Sequence, residues 1–118
     1  MLSVETRGKI LVLKMIGVLK QEHLDEANEL LADKLEEIES GLVLVDMRRY
    51  EGAEDLKTMW KEFRLVTANK NSVEKIAIVG RLDWQKLATL IVSPFTHATE
   101  RFFEPDEIDD AINWLRDD

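Results

Sequence analysis

The chain has 118 residues, of which 45% are hydrophobic and 34% charged, with no cysteine and a net charge of −8. This is the size of one domain, spanning residues 1–118, and an ordinary globular rather than disordered composition. Disulfide and thiol chemistry are excluded, and so strong a negative charge argues against nucleic acid as a partner.

Leu2 to Thr6 reads as a short strand, Arg7-Gly8-Lys9 as a tight turn, and Ile10 to Ile16 as a second strand that Gly17 ends, giving an N-terminal hairpin. His23 to Glu39 is predicted to be a helix, because Leu24, Ala27, Leu31, Leu35 and Ile38 recur at spacings of three and four. Its acids, Glu22, Asp25, Glu26, Glu29, Asp33, Glu36 and Glu37, follow helical spacing. They make a solvated face rather than a cation-binding loop.

Gly41 to Met47 is the organising stretch. Leu42, Val43, Leu44 and Val45 are consecutive, with no polar alternation, which marks a strand covered on both faces. Arg48 to Gly52 reads as the loop that follows. A second helix is predicted from about Ala53 to Asn69, with Leu56, Met59, Trp60, Phe63, Val66 and Thr67 on its inner side. Lys75 to Val79 is another doubly covered strand, one helix further on, as in a parallel crossover.

Asp83 suits the N-cap of a third helix, Trp84 to about Ser93, which Pro94 ends. Its apolar residues surround most of the cylinder, more than one seat on a sheet can hide. Thr96 to Phe103 reads as an edge strand. Glu104-Pro105-Asp106-Glu107 opens a last helix, with Ile108, Ala111, Ile112 and Leu115 as its stripe.

The order is therefore β-β-α-β-α-β-α-β-α, an α/β chain with four helices on a mixed four- or five-stranded sheet. With it come Leu44-Val45-Asp46-Met47-Arg48, Tyr50-Glu51-Gly52, Trp60, Ile76-Ala77-Ile78-Val79-Gly80, Trp84, Pro94-Phe95-Thr96, Arg101-Phe102-Phe103 and Pro105. In that order and spacing the chain resembles the SpoIIAA-like family, a branch of the STAS fold. The resemblance implies helices packed mainly on one sheet face and small cytosolic proteins without assigned enzymatic activity. It also implies association with membranes or apolar ligands through the middle helices. STAS-type anti-sigma-factor antagonists carry a phosphorylatable serine or threonine where the central strand meets the second helix. Here Met47 to Lys57 offers only the Tyr50 phenol, and Thr58 comes about a turn too late.

No enzyme signature emerges. His23 and His97 are the only imidazoles and have no convincing nucleophile beside them, and the glycines make no phosphate loop. No catalytic residue, metal ligand or cofactor is expected.

Two binding features remain. Arg48, Arg49 and Tyr50 follow one parallel strand, and Arg81 and Trp84 follow its neighbour, at strand carboxyl ends where α/β sheets bind ligands. Asp46 alternatively pairs with one of these arginines. Trp60, Phe63, Trp84, Leu87, Leu90, Ile91 and Phe95 either complete the core or line a cleft or patch between the second and third helices. Lys57, Lys61, Arg64, Arg81 and Lys86 lie around that patch; from Arg48 to Arg101 the net charge is +3, against −11 for the rest.

The leading expectation is a non-enzymatic module that binds a lipid or apolar small molecule, or makes a peripheral membrane contact. The alternative is a protein–protein regulatory module of the anti-sigma-factor-antagonist type, or a homodimer, using the same surface. No basic-then-apolar leader opens the sequence, and Leu87 to Thr99, the longest uncharged run, is too broken to span a bilayer. A cytoplasmic location, with peripheral membrane contact as its variant, is expected.

Overall fold

The computed structural model describes residues 2–37, 41–53, 73–80 and 99–117. Five strands form one sheet in the order β1-β2-β3-β4-β5: β1 (Leu2–Arg7), β2 (Ile10–Leu19), β3 (Leu42–Ala53), β4 (Lys75–Gly80) and β5 (Thr99–Phe103). Strand β1 runs antiparallel to β2, and every other neighbouring pair is parallel. The mixed sheet is thus five-stranded, and β5 lies at its edge.

The β1–β2 hairpin closes through Gly8-Lys9, with Arg7 opposite Ile10. Gly8 has φ 59°, at the first turn position, where a tight hairpin turn needs a residue without a Cβ.

Two α-helices are present among the described residues: α1 (Gln21–Glu37) and α2 (Ile108–Arg116), the latter preceded by a 3-10 turn, Pro105–Glu107. The predicted second and third helices fall outside the described residues, apart from Ala53, which ends β3 and does not begin a helix. Pro105 opens the 3-10 turn as expected, and the Glu104 N–H donates to the Glu107 carboxylate at 2.8 Å.

Side chains alternate along each strand, so the sheet carries two cores. On one face Leu11, Leu13, Val43, Val45, Ile76 and Ile78 meet Leu31 and Leu35 of α1. On the other, Ile10, Val12, Leu44, Ala77, Val79 and Phe103 meet Ala111 and Leu115 of α2. The doubly covered reading of β3 and β4 holds: Val43, Val45, Ile76, Ala77, Ile78 and Val79 are all fully buried. Enclosing each of the larger ones stabilises the fold by about 1.5–3 kcal/mol. The arrangement of helices mainly on one face is not what the described helices show, since α1 and α2 cover opposite faces.

Two of the element boundaries that differ from expectation bear on the site. Gly17 does not end β2: it takes φ 74° at an irregularity, and the strand continues to Leu19. Arg48 to Gly52 is not a loop but the second half of β3. That half pairs with Ile16, Gly17, Val18 and Leu19, beyond the point where β4 stops at Gly80 opposite Met47. The sheet therefore extends at one end as a two-stranded ribbon of β2 and β3.

Candidate strand-end binding site

The site forms where this ribbon leaves the sheet. Lys14 stands opposite Asp46, but the next pair is Ile16 with Arg49, so a single β2 residue, Met15, faces both Met47 and Arg48. This is a β-bulge, here in a parallel pair. Its consequence is a change of side-chain parity. Met47 packs in the α1-side core, as does Tyr50, whereas Arg48 reaches Asp46 and Arg49 shares a concavity with both. Without the bulge, consecutive arginines would point to opposite faces.

Asp46 is the one buried charged residue among those described, 7% exposed. Arg48 grips it in a fork: Nε donates to Oδ1 at 2.9 Å and Nη2 to Oδ2 at 2.9 Å. The Arg48 backbone N–H adds a third bond to Oδ1 at 3.1 Å. Burial alone would raise the Asp46 carboxyl, but these bonds, the Arg48 charge and nearby Lys14 together hold it below its ordinary value. Arg48 is in turn pushed above its ordinary value by the bond to Asp46, with Asp109 of α2 contributing. Asp46 thus serves to fix Arg48, the pairing that the sequence raised as an alternative.

Lys14 continues the charge alternation toward the sheet edge. Its ammonium lies 3.4 Å from the Glu5 carboxylate of β1, which Arg7 also approaches at 3.9 Å. A concavity of about 350 Å³ opens beside this row, lined by Lys14, Met15, Ile16, Asp46, Arg48, Arg49 and Pro105. Arg49 is exposed and has no ion-pair or hydrogen-bond partner among the described residues. Val18, at the same end of β2, is 55% exposed, the highest value among the large hydrophobic side chains described.

Two larger concavities lie elsewhere. One of 420 Å³ sits between β1 and α1, over Leu2, Val4, Ala27 and Leu30. The other, 780 Å³, lies at the amino ends of the central strands, where Lys75 is committed to binding the end of α2. The strand-end concavity is smaller than either, yet it lies at the carboxyl ends of parallel strands and is lined by cations.

Of the residues singled out from sequence, Arg48 and Arg49 come together here. Tyr50 does not: it is half-buried on the opposite, α1 side, and burial raises its phenol. Trp60, Phe63, Arg81, Trp84, Leu87, Leu90, Ile91 and Phe95 lie outside the described residues. Sequence reading missed Lys14, Met15, Ile16 and Pro105. The one available signal was Lys14, the single charge interrupting the apolar run of β2. Among the described residues no group of three or more histidines, aspartates or glutamates is arranged to hold a metal ion. No helix there is long and apolar enough to cross a membrane.

A mixed sheet with this strand order and helices on both faces is an α/β domain of the STAS type. The chain belongs to the SpoIIAA-like family, whose model matches residues 10–116. Among solved structures it is similar to an uncharacterised protein of the DUF3478 family, with a SpoIIAA-like fold, from Shewanella loihica PV-4. That match has 25% identity and a TM-score of 0.66, covering 98% of this chain and 92% of that one. It is also similar in fold to the anti-sigma factor antagonist SpoIIAA in its unphosphorylated form. There the identity is 8% and the TM-score 0.62, over 96% and 98% of the two chains. No curated protein matches the chain.

Proposed function

We propose that this protein is a non-enzymatic regulatory module that binds a protein partner at the strand-end surface of β2 and β3. The observation that carries the reading is the bulge at which Arg48 and Arg49 line one concavity, at the end of β2 where Val18 is exposed. A buried carboxylate fixes one arginine, the other has no ion-pair partner among the described residues, and an exposed apolar side chain lies at the same end of β2. This combination suits a mixed polar and apolar protein contact better than a reaction centre. The fold shared with an anti-sigma factor antagonist supports a protein partner. Serine or threonine phosphorylation at the end of β3 is not part of the reading, because the only hydroxyl between Met47 and Lys57 is the Tyr50 phenol.

Binding of a lipid or apolar ligand, with reversible membrane contact, rests on the apolar residues of the predicted second and third helices. Those residues lie outside the described part, and nothing within it supports that reading. A cytoplasmic location goes with the regulatory reading and has no separate support.

The test is quantitative capture from the native cell extract, with the wild-type chain and Arg49→Glu as baits. A partner whose recovery falls about tenfold with the variant supports the proposal, since charge reversal at a contact arginine costs a kcal/mol or more. Partners recovered equally by both baits would rule out this surface. Native mass spectrometry of the same preparations would reveal a co-purifying lipid, the result that favours the other reading.

A further inference from the structure

Among the described residues, the strand-end row of charges is almost balanced within itself. Glu5 pairs with Lys14, and Asp46 holds Arg48 by two of its N–H groups, while Arg48 also lines the concavity. Arg49 is the lining cation without a counter-ion among the described residues. A ligand group carrying one negative charge would complete the row, whereas a dianion would overfill it. The net charge of −8 works in the same direction, because long-range repulsion grows with the charge of the ligand. Arginine pairs on a fixed backbone match the planar, two-oxygen geometry of a carboxylate.

We propose that the bulge at Met47 and Arg48 builds a carboxylate-recognition site. In it Arg49, assisted by Arg48, takes one aspartate or glutamate side chain from a segment of the partner. Asp46 is the positioning residue: it touches no ligand but fixes the plane of Arg48. The idea rests on the protein-partner reading above for the origin of the segment; the affinity for carboxylate stands independently.

The experiment is amide-shift mapping by NMR on the full chain. It is titrated with an end-blocked peptide carrying one glutamate among glycines, with inorganic phosphate and with sodium chloride at matched ionic strength. The peptide is expected to produce saturable shifts at Ile16, Arg48 and Arg49. Arg49→Gln is expected to weaken it about tenfold or more, while Arg116→Gln, at the other end of the sheet, changes it by less than about twofold. Saturable shifts that persist in Arg49→Gln, no saturable shift, or phosphate binding more tightly than the peptide would each overturn the assignment. Failure here together with Arg49-dependent capture of a partner would remove the carboxylate assignment alone. Peptide binding at these amides without any Arg49-dependent partner would retain the site and remove the regulatory reading.

Discussion

At Asp46, a carboxylate is enclosed in the sheet and kept charged by one neighbour two residues along the same strand. The sign of its effect on stability follows from the lowered folded value. Between that value and the unfolded-chain value of 3.8, the unfolded chain binds more protons. The pair therefore stabilises fully above pH about 3.8 and ceases to do so as acid carries the protein below it. Arg48→Met leaves Asp46 buried without its partner, so burial then dominates. The variant is expected to lose about 1–3 kcal/mol in urea unfolding at pH 7, and its deficit should shrink on acidification toward pH about 4. A pH-independent deficit would mean that Arg48 contributes packing and not charge.

Gly80 is constrained by space rather than by backbone angle. A Cβ there would lie 2.9 Å from the Met47 Cβ and 3.0 Å from its carbonyl oxygen, at the last pairing of β3 with β4. Since the backbone oxygen cannot move aside without disturbing the bulge that follows, Gly80→Ala is expected to cost about 1–3 kcal/mol in thermal or denaturant unfolding. It should also shift the amide resonances of Arg48 and Arg49.

Among the elements, α2 depends on a contact from outside itself. The Lys75 ammonium, at the start of β4, donates to the Trp114 carbonyl at 3.0 Å and also to the Asp117 carbonyl. It lies 5.3 Å from the Trp114 ring centre, and that ring meets Phe103 at 6.0 Å. A cation thus satisfies carbonyls at the negative end of a nine-residue helix too short to persist alone. Lys75→Met keeps the aliphatic stem and removes the charge. It is expected to cost about 1–2 kcal/mol and to speed amide exchange in the last turn of α2 more than elsewhere.

The elements also show where sequence reasoning stopped. Helix α1 was legible because its stripe has a local period, and Ala27, Leu31 and Leu35 are buried as read. The first half of β3 was legible because four branched apolar residues in a row have few other uses. Its second half was not: Arg48-Arg49-Tyr50-Glu51-Gly52 has neither alternation nor apolar mass. What holds it extended is pairing with β2, a partner distant in sequence. The bulge is equally non-local, since a register shift exists only between two strands. Hence Arg48 and Arg49 could be selected as candidates, but their common orientation could not be foreseen.

Across the whole molecule, the two ends of the sheet have different roles. At the amino ends of the central strands, Gly41 accepts from Glu74 and Lys75 at 2.8 and 3.2 Å, and Lys75 secures α2, so this end knits the domain together. At the carboxyl ends β2 and β3 run on beyond β4, carrying Arg49 and Val18 outward. A partner should therefore recognise one end and not the other. This polarity is tested most directly by placing a photo-crosslinking residue at Val18 in one variant and at Lys9, the opposite end of the same hairpin, in another. Irradiated in native extract, the Val18 probe is predicted to give a discrete protein adduct that Arg49→Glu suppresses, and the Lys9 probe none. An adduct at Lys9 alone, or one at Val18 indifferent to Arg49→Glu, would contradict the account.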